Sequence, residues 1–205
     1  MYSVIAWCAD GYFHPDEHYQ LIEFSGLKTG HTLEEDLAWE YKEQMRPTLQ
    51  PWITYFVLST SQYFTHDPFI QIFFLRWLTA ILAIIAIRYF IKQSLFEIEN
   101  SLHPVYILTF YFLWFIPLIF TRFSSESWST IALIFAMSIS ISQKKLTPKN
   151  AIILGSIIGI AFLLRFQTGV IGISIVFEGR GTIHSAGAVR IIQKGLYVTG
   201  INACL

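Results

Sequence analysis

The sequence predicts an all-α protein: a multi-pass bundle of transmembrane helices preceded by a helical loop on the extracytoplasmic side. Three observations predict it. Only 14% of the 205 residues are charged, against 54% hydrophobic and 17% aromatic, whereas soluble domains carry about 25% charged residues. The apolar residues lie in long blocks without a polar stripe, which suits burial in lipid and not a water-facing helix. The acids are segregated: residues 1–50 hold nine acids and three bases, and the rest of the chain holds five acids and eleven bases. The chain therefore divides into an acidic extracytoplasmic loop (1–50), a partial transmembrane bundle (51–177) and an unassigned tail (178–205). The 14 bases balance the 14 acids, so the polyelectrolyte attraction of a nucleic-acid binder is missing. Cys8 and Cys204 are too few and too far apart for a disulfide scaffold or a Cys-rich zinc module.

Four blocks are read as candidate spans, of which the third is marginal in length, since about 20 helical residues cross the hydrocarbon. Ile70–Ile91 is interrupted only by Gln71, Arg76, Thr79 and Arg88, and Pro104–Phe120 carries no charge. Trp128–Ile141 is short and Ser-rich, and reaches span length only if its helix begins near Ser124. Ala151–Phe177 is long and contains Arg165. Trp52–Phe64, following Pro51, is too short to span and reads as an interfacial or re-entrant helix. Arg88 and Lys92 end the first span, and Lys144, Lys145 and Lys149 sit between the third and fourth. With 52–64 non-spanning, both groups fall on one face, which the positive-inside rule makes cytoplasmic. The acidic loop, residues 122–127 and the far end of the fourth block share the other face. Met1–Ala9 is too short for a signal peptide.

The densest chemistry lies in His14-Pro-Asp-Glu-His-Tyr-Gln-Leu-Ile-Glu-Phe24. Pro15 suits the first position of a helix, placing Asp16 and Glu17 in its first turn, where the helix dipole favours carboxylates. A solvated helix start has the same pattern. Beside an apolar bundle, however, the paired carboxylates suit one acid on a substrate hydroxyl and the other on a neighbouring group. His14 and His18, four apart, with Glu23 or His31, have a weak metal-ligand spacing; hydrogen bonding at a polar site is the preferred reading, so no metal is assigned. In Leu37–Pro51, Trp39 and Tyr41 suit anchoring at a membrane surface, and Arg46 can reach a phosphate. Arg76 reads as snorkelling or pairing with an acid. Arg122, Glu126 and Arg165 gather on the face of the acidic loop, and cations at membrane depth are by default functional candidates.

His14-Pro-Asp-Glu-His-Tyr-Gln20 with Glu23, then Ala38-Trp-Glu-Tyr41 and Met45-Arg-Pro47, resembles the first outer loop of the GT-C membrane glycosyltransferases. It is most similar to the mannosyltransferases of glycosyltransferase family 22, which serve dolichol-linked oligosaccharide and GPI-anchor synthesis and have bacterial relatives. Arg122-Phe-Ser-Ser-Glu126 and Leu164-Arg-Phe-Gln-Thr168 fall where that family carries polar interruptions. The resemblance covers about residues 10–170. It implies inverting transfer of a hexose from a polyprenyl- or dolichyl-phosphate sugar to a glycan or glycolipid acceptor, without a cofactor. The setting is a bacterial cytoplasmic membrane or the endoplasmic reticulum membrane. Asp16 maps to the expected base, with Glu17 beside it. Arg122 or Arg165 then stabilises the departing phosphate, Arg46 is a further phosphate or substrate contact, and Glu17 or Glu126 orients substrate or arginine. Trp39 and Tyr41 are weaker candidates for stacking on a sugar. The family also has a helix before this loop and further helices after residue 177, so these 205 residues are expected to be a truncated fragment. The competing readings are a transporter or flippase-like protein and an inert membrane fragment. A transporter would hold its charges near the midplane and not in an outer loop.

Overall fold

The computed structural model describes residues 1–9, 21–30, 32–37, 39–43, 48–142 and 147–178. Among these residues there are ten α-helices, joined by turns and short 3-10 segments, and no strand. The all-α class is therefore as expected.

The longest helix, α5 (Pro68–Ser94), organises the rest. Asp67 caps it by accepting from the Phe69 backbone N–H at 2.9 Å, and Pro68 takes the first turn, where a missing N–H costs nothing. Thr79, Ala80, Ala83 and Ala86 form a small-residue face, all but sealed from solvent, so a neighbouring backbone can approach closely. That neighbour is α8 (Ser125–Ser142). Trp128 Nε1 donates to Thr79 Oγ1 at 2.9 Å, Ile131 packs with Ala83 and Ile87, and Tyr89 meets Phe135 with ring centroids 6.3 Å apart. The rising numbers on both sides show that α8 runs parallel to α5.

Two of the four expected spans are interrupted. In Pro104–Phe120, α6 (His103–Phe112) ends and α7 (Phe115–Phe120) begins separately. The cause is Pro117, whose ring clashes with the carbonyl four residues earlier. That residue, Leu113, leaves the helical region at φ −57, ψ 126, and its carbonyl accepts instead from Ile116 N at 2.8 Å. In Ala151–Phe177, α9 (Pro148–Leu164) stops at Arg165, which is extended (φ −153, ψ 110), and α10 (Gly169–Glu178) turns back along it. Gly172 sits against Ile158 and Gly169 against Phe162, so this block is an antiparallel hairpin and not one span. Arg165 accordingly occupies a turn. The third block does start early enough, at Ser125, but six of its 18 residues are serine. Among the described residues one helical run, Pro68–Glu97, is long and apolar enough to cross a membrane.

The N-terminal elements pack on one end of this frame. In α1 (Tyr2–Cys8), Tyr2 donates its hydroxyl to the Tyr111 carbonyl at 3.0 Å, Ser3 Oγ accepts from Trp77 Nε1 at 3.3 Å, and Trp7 stacks edge-on against Phe73. Next, α2 (Glu23–Thr29) closes on Gly30, whose φ of 75 is open to glycine without strain. That turn lets Thr32 Oγ1 donate back to Glu23 Oε2 at 2.7 Å. After α3 (Trp39–Lys42) comes α4 (Leu49–Ser61), which absorbs Pro51 in its first turn and packs on α2 and α5. It matches the expected non-spanning segment but starts earlier, so position 51 lies inside a helix. The side chains of Trp52 and Phe56 remain exposed on it.

The hairpin contact gives a first test. A Cβ on Gly172 would lie 2.5 Å from Ile158 Cγ2, whereas one on Gly155 would meet nothing within 4 Å. Ile158 is β-branched and stiff on a helix, so it cannot swing away cheaply. Gly172→Leu is expected to destabilise by about 1–3 kcal/mol, seen as a lower thermal midpoint in detergent. Gly155→Ala should be neutral or slightly stabilising through helix propensity. An unchanged midpoint for Gly172→Leu would mean that α10 does not lie this close to α9.

Candidate functional site

The frame sorts charge by end. Because α8 parallels α5 and α9 returns antiparallel, the exposed cations Arg88, Lys92 and Lys149 share one end. The opposite end holds the α7–α8 junction and the α9–α10 turn. Lys144 and Lys145 lie outside the described residues.

At that opposite end, the junction from Thr121 to Trp128 is held by its own side chains. Ser124 Oγ caps α8 by accepting from Ser127 N at 3.2 Å, and Ser127 Oγ donates to the Ile119 carbonyl at 2.8 Å. Phe123 is buried and lies edge-on to Trp128, with centroids 5.3 Å apart. This places Arg122 one residue beyond the C-cap of α7, partly buried. Glu126 sits in the first turn of α8, where the helix dipole favours a carboxylate.

Across from it, the extended Arg165 directs its guanidinium to two acceptors. Nη1 forms an ion pair with Glu126 Oε1, and Nε donates to Gln167 Oε1 at 2.6 Å. The turn itself is fixed by Thr168, whose N–H and Oγ1 both donate to the Arg165 carbonyl, at 3.0 and 2.7 Å. The Glu126 and Arg165 side chains are 50% and 32% exposed. An ion pair that open contributes at most about 1 kcal/mol to stability. What the pair does supply is orientation: a guanidinium held in place.

The same end receives the front of the chain. Leu21 packs with Leu75 and Phe123, alongside Ile53, Val57, Leu58 and Trp128. Arg76, 9% exposed, donates through Nη1 to the carbonyl of Ala9. The sequence reading has Arg76 snorkelling or pairing with an acid; its contact with a backbone carbonyl has no sequence signature.

The remaining candidates are distributed as follows. Asp16, Glu17 and Arg46, with His14, His18 and His31, lie outside the described residues. Trp39 is exposed on α3. Tyr41 is half-buried, edge-on to Phe24 at 5.7 Å. Lys28 lies over the Trp52 ring at 4.0 Å, a cation–π contact joining α2 to α4. The structure thus joins Glu126 to Arg165 and sets Arg122 on the adjoining junction, while Trp39 and Tyr41 belong to the separate α2–α4 layer.

Comparison with known proteins finds a match to the family model described as the Alg9-like mannosyltransferase family, over residues 2–199. No curated protein and no solved structure matches the chain.

Proposed function

The chain belongs to the Alg9-like mannosyltransferase family, and from that premise we propose that it transfers a hexose, mannose by family, from a polyprenyl- or dolichyl-phosphate donor to a glycan or glycolipid acceptor with inversion. The membrane is a bacterial cytoplasmic membrane or that of the endoplasmic reticulum, crossed more than once. The site lies at the extracytoplasmic end of the bundle. The observation that carries this reading is the Glu126–Arg165 pair beside Arg122, at the end where Ala9 and Leu21 bracket the acidic segment.

In the proposed reaction an acceptor hydroxyl attacks the anomeric carbon on the face opposite the phosphate. A new C–O bond forms there as the bond to the phosphate oxygen breaks. The hydroxyl proton passes to the Asp16 carboxylate, and the bonding electrons leave on the lipid phosphate. Arg165, or Arg122 beside it, meets that developing charge, and a preorganised donor in such a position is the type of interaction that lowers a barrier most. Arg46 is a further phosphate or substrate contact. Glu126 orients Arg165, and Glu17 orients substrate. Trp39 and Tyr41 are weaker candidates for stacking on a sugar.

The test is transfer by the full chain in proteoliposomes, supplied in turn with polyprenyl-phosphate mannose and with a nucleotide sugar, together with a lipid-linked oligosaccharide acceptor. Product from the lipid donor alone, retained in EDTA, is expected. Product from the nucleotide sugar alone would overturn the donor assignment, and a requirement for a divalent ion would move His14 and His18 to the metal role. Sidedness has its own test. With the sole accessible cysteine introduced at Lys145 in right-side-out vesicles, an impermeant maleimide should not react, whereas one at Ser124 should label. Labelling at position 145 from outside would reverse the topology.

A further inference from the structure

We propose that the outer side of α4 and the turn after it, carrying Trp52, Phe56, Tyr63 and Phe64, is a lipid-docking surface that seats in the headgroup–acyl boundary of one leaflet. This rests on the reading of α5 as a helix that crosses a membrane. The polarity of α4 is the first ground for it. Gln50, Thr54 and Ser61 are all but sealed from solvent. Thr54 Oγ1 donates to the Gln50 carbonyl at 3.0 Å, and Ser61 Oγ to the Leu58 carbonyl at 2.8 Å. Ile53, Val57 and Leu58 pack with Leu21, Leu75 and Phe123. The polar residues of the helix are thus spent on the interior, while Trp52, Phe56, Tyr63 and Phe64 are between 52% and 86% exposed. Trp52 and Phe56 are four apart and share a helix face. A face that meets water carries polar side chains, whereas a row of aromatics suits the zone where lipid meets water.

The turn into α5 indicates what covers this surface. The Phe64 and Thr65 N–H groups both donate to the Ser61 carbonyl at 2.9 Å, the Asp67 N–H to Thr65 Oγ1 at 3.1 Å, and Gln71 Nε2 to the Thr65 carbonyl at 3.0 Å. Tyr63 and Phe64 are therefore tied to the first turn of α5, where Phe69 is 78% exposed. A run that crosses a membrane from Pro68 has its first turn at the edge of the hydrocarbon, and the aromatics tied to that turn lie at the same level. Lys28 bounds the depth from the other side. Its ammonium lies over the Trp52 ring at 4.0 Å, and an ammonium stays with headgroups and water while its stem lies on apolar surface. The helix then rests in the boundary and does not dip into the bilayer as a re-entrant segment. A protein partner would place no such condition on the level of these aromatics.

The test uses the full chain in phosphatidylcholine vesicles, with Cys8→Ser and Cys204→Ser and one introduced cysteine carrying a bimane fluorophore. The labelled variants are Phe56→Cys, Phe64→Cys and, within α5, Ile85→Cys, all at exposed positions. Phosphatidylcholine brominated near the carbonyl end of its chains should quench most of the emission at 56 and 64. Lipid brominated near the chain ends should do so at 85. Aqueous iodide should quench 56 and 64 far less than the free bimane adduct. Quenching of 56 and 64 by iodide as strong as that of the free adduct, with 85 still reached by the deep bromine, would overturn the proposal and leave α5 as a span. Shielding of 56 and 64 from both bromine and iodide would assign the surface to a protein contact, a second copy if position 56 cross-links between chains, and would overturn it equally. Quenching at 56 by the deep bromine alone would make α4 re-entrant, against the boundary position. No bromine quenching at any of the three positions would sink the reading of α5 as a crossing helix, and this proposal with it. If Phe56→Cys does not accumulate, Phe64→Cys carries the same comparison.

Discussion

Asp16→Asn is expected to reduce sugar transfer by about 10²–10⁴-fold, the usual worth of a positioned general base, while membrane insertion and thermal stability stay at wild-type values. Asparagine matches aspartate in shape and still accepts hydrogen bonds, but it cannot take the proton that the acceptor hydroxyl must lose. The position is chosen because Asp16 follows Pro15 in a segment whose two flanks, Ala9 and Leu21, both meet α5, and because it matches the acidic position of the family's first outer loop. Glu17→Gln is expected to lose about tenfold or less if Glu17 only orients groups. The measurement is kcat and KM for transfer from polyprenyl-phosphate mannose by the two variants and wild type. Near-normal turnover in Asp16→Asn with a dead Glu17→Gln would move the base by one residue. If both variants work normally, the paired acids only begin a helix at the membrane surface.

How far the sequence could be read depends on whether each feature has a local cause. Helical class was legible because apolar blocks without a polar stripe admit little else, and the shared direction of α5 and α8 followed from the cations that end their blocks. The third block's dependence on a start near Ser124 was also legible, from the length that a span requires. The two interruptions have local signals that hydropathy alone passes over. Pro117 removes helical geometry at Leu113, four residues earlier. Ala151–Phe177 has 27 residues where about 20 suffice, and the excess is the returning α10. Residues 122–127 and Arg165 were placed on one face from helix direction alone, and the ion pair between Glu126 and Arg165 is the contact that results; the far end of the fourth block, expected on that same face, instead returns toward the other end with α10. Which arginine meets the phosphate was open in the sequence and has to be decided by chemistry.

We propose Arg165 for that role. Arg165→Met is expected to lower kcat by about 10²–10³-fold, the usual loss when one preorganised donor to a developing oxyanion is removed, with a smaller change in KM. Arg165 is favoured over Arg122 because its guanidinium is already oriented from two sides, by Glu126 and Gln167, so little reorganisation is needed when charge develops on the phosphate. Arg122→Met is accordingly expected to cost less. Glu126→Gln should cost about tenfold, and combined with Arg165→Met it should add almost nothing, since Glu126 acts only through the arginine. Loss of activity alone could mean that the ion pair simply ties α8 to the α9–α10 turn. The double exchange Glu126→Arg with Arg165→Glu separates the two cases. It keeps an ion pair between the same positions while moving the cation to the other side of the junction. If Arg165 serves the phosphate, the exchanged protein should fold with a wild-type thermal midpoint and remain as slow as Arg165→Met. Recovery of turnover in the exchanged protein would show that the pair is a structural tie, and the phosphate contact would then pass to Arg122.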